Sequence, residues 1–209
     1  ARYGALAFSI GGYGYVGTGY NDNYLKDFYR FDPNAATGQQ WTIVSGFGGY
    51  KRQYGTAFVI DDVAYICCGD NNGTLVDDLW KFDGSDWKQL RDIANNDSDE
   101  DYDDDYAITR AGTVSFVIDG RGYIATGTRS GVTSDYWVYD PEEDLWYGDS
   151  DDDYTPMTNV HNVSSGGSSR SYAVSFSTGK RGFVLSGSSG TSYFDDVYEL
   201  LPYEQEDVD

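Results

Sequence analysis

The sequence predicts an all-β fold assembled from four copies of one four-stranded antiparallel unit, with helix a minor component at most. Three observations predict it. Four segments align with one another at near-fixed offsets. The composition pairs 26 Gly with 20 Tyr, 10 Phe and 5 Trp against a single Met, which suits short strands joined by tight turns. Leu- and Ala-rich stretches at helical period are missing.

The copies open on Arg2, Arg52, Arg110 and Arg170 and run to Phe8, Phe58, Phe116 and Phe176. Seven residues later stands an aromatic, Tyr15, Tyr65, Tyr123 or Phe183, and four residues after that a glycine, Gly19, Gly69, Gly127 or Gly187. Eight or nine residues further on comes Asp27, Asp78, Asp135 or Asp196, each opening a short apolar-aromatic run. Trp41, Trp87, Trp146 or Tyr203 then begins a last run.

Each copy reads as four strands. Leu6 to Ile10 is apolar and small, as expected of a strand packed on both faces. A turn over Gly11 to Gly14 leads into a second strand from Tyr15 to Thr18, and Asn21 to Asn23 is a loop. Phe28 to Phe31 is the third strand, Asp32 to Asn34 a turn, and Trp41 to Val44 the fourth. Four antiparallel strands in about 50 residues is the spacing of a propeller blade. Blades pack as wedges, so the inner strands need Gly, Ala, Ser and Thr, and the diverging outer strands need Trp and Tyr, which bury roughly 150–250 Å² each.

The glycine ending the second strand, the aromatic of the third (Tyr29, Trp80, Trp137, Tyr198) and the Trp opening the fourth together resemble the kelch-repeat β-propeller family over nearly the whole chain. The usual double glycine is altered to Thr18-Gly19, Cys68-Gly69, Thr126-Gly127 and Ser186-Gly187, a style similar to the lipoprotein-type kelch proteins of bacterial cell envelopes. The resemblance implies one propeller domain over 1–209, with blades at about 1–50, 51–108, 109–168 and 169–209. It also implies export to the cell envelope or beyond. Two arrangements stay open, a small closed four-blade ring or part of a larger one with blades before Ala1; the second is favoured because the chain opens mid-pattern.

Candidate sites follow from the repeat and from its interruptions. Arg2, Arg52, Arg110 and Arg170 begin the innermost strand, where a ring of guanidinium groups would bind a carboxylate or sulfate. The structural alternative is that each bridges to neighbouring carbonyls or to the repeated Asp. Two acidic insertions carry an Asp-x-Asp-x-Asp core: Asp97, Asp99 and Asp101 in one, Asp149, Asp151 and Asp153 in the other. Such oxygens suit Ca²⁺, although Tyr102 and Ile108 break the EF-hand pattern, and a solvated charged loop is the alternative. Both insertions join one blade to the next and are expected on one face. No other cofactor is expected.

His161 is the only histidine, so a two-histidine metal centre is excluded within this chain, and no Ser-His-Asp arrangement can be argued. Adjacent Cys67 and Cys68 would be strained as a disulfide and are read as buried free thiols filling the core. Asn72, Asn96 and Asn162 open weak glycosylation sequons. There is no phosphate-binding loop or dinucleotide fingerprint.

The formal net charge of −21 repels nucleic acid and anionic membrane surfaces, leaves cations, basic proteins and neutral sugars open, and also serves solubility. No apolar run approaches the roughly 20 residues of a transmembrane span. Loop tyrosines (Tyr20, Tyr24, Tyr50, Tyr102, Tyr106, Tyr154) combine a stacking face with a hydroxyl. The expected function is therefore a non-catalytic extracellular or envelope-associated binding or scaffold module that contacts protein or glycan through its loops. Two alternatives are a sugar-acting enzyme with an acid/base pair in the central channel, as in sugar-isomerising kelch proteins, and a structural subunit of a surface assembly.

Overall fold

The computed structural model describes residues 1–94, 108–148 and 168–200. Two compact units divide the chain, Ala1–Ala111 and Gly112–Asp209. Among the described residues every regular element is a strand, so no helix is long and apolar enough to cross a membrane.

In the first unit, β1 (Leu6–Ile10), β2 (Tyr13–Gly17), β3 (Phe28–Phe31) and β4 (Trp41–Val44) form one antiparallel sheet in chain order. The second sheet contains β5 (Thr56–Ile60), β6 (Val63–Cys67), β9 (Trp80–Phe82) and β10 (Trp87–Gln89). The small hairpin β7 (Asp70–Asn71) and β8 (Thr74–Leu75) projects from it. In the second unit, β11 (Val114–Ile118), β12 (Arg121–Thr128), β13 (Val132–Asp140) and β14 (Leu145–Gly148) repeat the pattern. The last sheet has β15 (Val174–Ser177), β16 (Gly182–Leu185) and β19 (Val197–Leu200), with the hairpin β17 (Ser188–Ser189) and β18 (Ser192–Tyr193) beside it. Its expected fourth strand, from Tyr203, lies outside the described residues. All four sheets are antiparallel meanders, the form of a propeller blade.

One boundary differs from the sequence expectation. The turn after β1 is two residues long, so β2 begins at Tyr13, which pairs with Ile10. Gly11 and Gly12 both take positive φ, 56° and 81°, the type I′ geometry whose twist matches the flanking strands. Asp61-Asp62 and Asp119-Gly120 make the same turn in the next two sheets.

The repeated aromatics have one cause. Phe8 lies opposite Tyr15 across β1 and β2, with ring centroids 5.0 Å apart and planes at 10°. Phe58 and Tyr65, Phe116 and Tyr123, and Phe176 and Phe183 repeat the stack. Around these rings the first unit builds a core from Leu6, Ile10, Phe28, Phe47, Ile66 and Phe82. The second unit uses Val114, Ile118, Tyr136, Val138, Val184 and Leu200.

Small residues set how closely the layers approach. A Cβ on Gly17 would fall 2.1 Å from the Phe28 ring, and one on Gly182 would fall 2.3 Å from the Phe116 ring. Ser175 Oγ donates to Ser115 O at 2.7 Å, and Ser177 Oγ to Val117 O, pinning β15 against β11. Cys67 and Cys68 are buried and unbridged. A hydrogen bond with Cys68, followed by burial, pushes the Cys67 thiol well above its ordinary value.

Candidate functional site

Three of the four repeat arginines clasp the aspartate of their own copy. Arg52 is fully buried, donates to Asp78, and reaches Cys68 O at 3.1 Å and Tyr50 O at 3.3 Å. Arg170, also fully buried, donates to Asp196 at 2.5 and 3.0 Å, to Ser186 O at 2.9 Å and to Ser168 O at 3.0 Å. Arg2 repeats the pattern with Asp27 at 2.8 and 2.9 Å and Thr18 O at 2.8 Å. Arg110 is fully buried, and its Nε donates to Ile108 O at 2.9 Å.

In these three clasps the aspartate lies 25 or 26 residues after its arginine because the chain must traverse two strands and a loop to return to the same end of the sheet. The aspartates do further work: Asp78 also accepts Trp80 Nε1 at 2.9 Å, and Asp135 accepts Trp137 Nε1 at 3.2 Å. The guanidinium hydrogen bond holds the Asp27 and Asp196 carboxyls below their ordinary value.

The altered double glycine keeps its backbone role. Thr18, Cys68, Thr126 and Ser186 all take the left-handed conformation, at φ 58° to 61°. The invariant partner is tighter still. Gly69 sits at φ 111°, and a Cβ there would lie 2.8 Å from Gln53 O. Its N–H donates to Arg110 O at 2.7 Å, which ties one sheet to the start of the next repeat.

A tyrosine surface crowns the clasp end of the first unit. Tyr3 lies 5.5 Å from Tyr20 and 6.3 Å from Tyr54, and Tyr20 lies 5.0 Å from Tyr24, so four rings form a continuous chain. Tyr3 and Tyr50 are exposed, at 56% and 59%. The Tyr24 hydroxyl donates to Asp70 Oδ2 at 3.3 Å, and desolvation followed by that charge raises its pKa.

Tyr54 holds an unusual φ of 56°, a cost for a bulky residue. The same repeat position is Gly4, Tyr54, Gly112 and Tyr172, all at φ 54° to 64°. The tyrosines lie over the glycines, since a Cβ on Gly4 would be 3.1 Å from the Tyr54 ring and one on Gly112 2.9 Å from that of Tyr172. Tyr20, Tyr24 and Tyr50 were legible as loop residues. Tyr3 and Tyr54 were not, because they occupy repeat positions that read as scaffold. The only signal was the alternation of Tyr with Gly two residues after each Arg.

Six aspartates expected to hold Ca²⁺, namely Asp97, Asp99, Asp101, Asp149, Asp151 and Asp153, lie outside the described residues, as do His161, Tyr102, Tyr106 and Tyr154.

No family model matches the chain, and no curated protein does. Among solved structures 176 chains match, so the fold is shared widely and cannot by itself choose a function. One of them, described as "Structure of YjhT", superposes with a TM-score of 0.68 at 16% identity and covers 97% of this chain. The match takes in 63% of the YjhT chain, so this chain spans less than two thirds of that protein's length. At this identity the likeness shows the fold, an all-β propeller built from four blades.

Proposed function

We propose that the protein is a non-catalytic binding or scaffold module of the kelch type, exported to the cell envelope or beyond, that contacts glycan or protein through its loop tyrosines. The observation that carries this reading is the division of labour at the clasp end. The arginines Arg2, Arg52 and Arg170 spend their donors on carboxylate and carbonyl oxygens of their own blades. The tyrosine chain beside them combines the exposed Tyr3 with the half-buried rings of Tyr20, Tyr24 and Tyr54, the amphipathic rings that rigid aromatic recognition surfaces use. Held at φ 56° against Gly4, the Tyr54 ring is fixed before any partner arrives, which lowers the entropy cost of binding.

A glycan array probed with the intact protein and with Tyr54→Gly tests this reading. Gly4 and Gly112 show that glycine fits the position, so folding is preserved. Binding by the parent protein with loss in the variant is expected; equal binding by both would remove the tyrosine surface from the account.

One observation favours a second reading, an assembly subunit. Val174, Phe176 and Val197 on the last blade are 57%, 50% and 60% exposed, whereas Val114 and Phe116 at the corresponding positions of the preceding blade are each 5% exposed. On this reading the face is covered by a second copy of the chain. Light scattering checks it: a mass that rises with concentration and falls for Phe176→Ser is expected, and a constant monomer mass would exclude it.

A further inference from the structure

At the opposite end of the first unit, the hairpins β1–β2 and β5–β6 and the turn over Asp83–Ser85 enclose a cleft of about 280 Å³. Its walls carry Tyr13, Arg30, Asp62, Asp83 and Ser85, and the apolar Ile10 forms part of its lining. The volume lies just below the ~300–1,000 Å³ of sites for drug-sized ligands and suits a molecule the size of an amino acid.

Two features mark this cleft off from the rest of the repeat. The first is Arg30. Its guanidinium lies 4.5 Å over the Tyr13 ring and interacts with the Tyr15 hydroxyl, its Nε is buried without a hydrogen-bond partner, and it forms no ion pair among the described residues. In the last blade the corresponding position is Glu199, and Tyr13 is replaced by Arg181, which pairs with that glutamate. In the third blade Arg121 stands at the Tyr13 position and pairs with Asp140 at 3.0 Å. In the second blade the same position is Lys81, opposite Tyr65 as Arg30 is opposite Tyr15.

The second feature is Asp62. It occupies the second position of a two-residue turn at φ 60°, where the neighbouring hairpins have Gly12 and Gly120. A glycine would be easier there, and the carboxylate is instead directed to the cleft wall, where Oδ1 accepts Gly11 N–H at 3.2 Å. Asp83 is fixed by N–H groups of Ser85 and Asp86 at 2.9 and 2.8 Å on its Oδ1, and these bonds hold its carboxyl below the ordinary value. Both carboxylates are therefore held at the cleft wall by backbone N–H groups.

The geometry points to a binding site for a small zwitterion, with the ligand's carboxylate on Arg30 and its ammonium group on Asp62 and Asp83. Charge decides between ligand classes. A purely anionic ligand meets two carboxylates in a chain of net charge −21, and a purely cationic one leaves Arg30 facing a like charge. A zwitterion satisfies both ends, and guanidinium against carboxylate gives the paired, directional contact. The site is independent of the tyrosine surface and does not rest on it.

Calorimetric titration with L-glutamine, against acetate, ethylamine and glucose as single-feature controls, tests the assignment. Glutamine is expected to bind in the millimolar range or tighter, with acetate and ethylamine each weaker by about tenfold or more. Arg30→Met and Asp62→Gly should each weaken glutamine by a similar factor. Asp62→Gly should at the same time raise the melting temperature, since glycine relieves the positive φ, so its loss of binding is not unfolding. No glutamine binding at millimolar concentration, unchanged binding by Arg30→Met, or glucose binding as well as glutamine would each overturn the proposal.

Discussion

The arginine clasps supply their own internal controls, because one motif recurs at three degrees of burial. In the second blade both side chains are sealed, Arg52 at 0% exposure and Asp78 at 2%; in the last blade Arg170 is at 0% but Asp196 at 34%; in the first, Arg2 is at 20% and Asp27 at 40%. Replacing each arginine by methionine keeps much of the apolar stem and removes the charge. For Arg52→Met the abandoned Asp78 carboxylate stays out of water, and breaking such a pair costs about 3–5 kcal/mol. For Arg2→Met water reaches Asp27, so the loss is about 1–2 kcal/mol, made up of an exposed pair and one carbonyl hydrogen bond. Arg170→Met falls between, at about 2–3 kcal/mol, because the cation is sealed and the anion is not. Urea unfolding at neutral pH, followed by tyrosine fluorescence and by circular dichroism to check that transitions coincide, gives the three values. Adding Asp78→Asn to Arg52→Met should recover part of the loss, since the amide still accepts from Trp80 or Tyr50. Equal costs for Arg2→Met and Arg52→Met would refute the reasoning that burial sets the strength of the clasp.

Acid should weaken the clasps in a defined window. Asp27 and Asp196 have folded pKa values below their ordinary ones, so their contribution is complete above the usual carboxylate pKa of about 3.9 and is lost as pH falls through the folded values. The urea midpoint should hold between neutral pH and about 5 and then drop, less steeply in Asp196→Asn. Gly69→Ala should cost about 2–4 kcal/mol, from a φ of 111° that alanine resists and a Cβ placed 2.8 Å from Gln53 O; retained stability in a thermal melt would contradict that contact. Both thiols should be silent to a disulfide reagent in the folded protein and reactive after unfolding, since Cys67 and Cys68 are buried. We further propose that the acidic insertions hold Ca²⁺; calorimetry should show heat of binding that Asp99→Asn reduces, and no heat at millimolar ion would leave them as solvated charge.

The fold was legible because its pattern is physical and repeated four times. Phe8 and Tyr15 are seven residues apart because a five-residue strand, a two-residue turn and an antiparallel return bring them face to face. The spacing of Arg52 and Asp78 likewise encodes a closed contact, and the pairing of the two was one of the alternatives the sequence allowed. Other features were hidden. A two-residue turn and a four-residue one both fit Gly11 to Gly14, and only the pairing of Tyr13 with Ile10 decides between them. The positive φ of Tyr54 cannot be foreseen, because its residue type argues against it. Arg30 reads as one more strand residue until its neighbours are in place and the cleft it shares with Tyr13, Asp62 and Asp83 becomes visible.

If the clasped arginines serve structure and the tyrosine chain serves recognition, one titration separates the two roles. Protein carrying ¹³C-labelled tyrosine rings and ¹⁵N-labelled arginine, titrated with a glycan selected on the array, reports both sets of groups at once. Shifts of the Tyr3, Tyr20, Tyr24 and Tyr54 ring signals, with the Nε–H signals of Arg52 and Arg170 unmoved and slow to exchange, are the predicted result. Movement of those arginine signals with silent tyrosine rings would contradict it and return the site to the guanidinium groups.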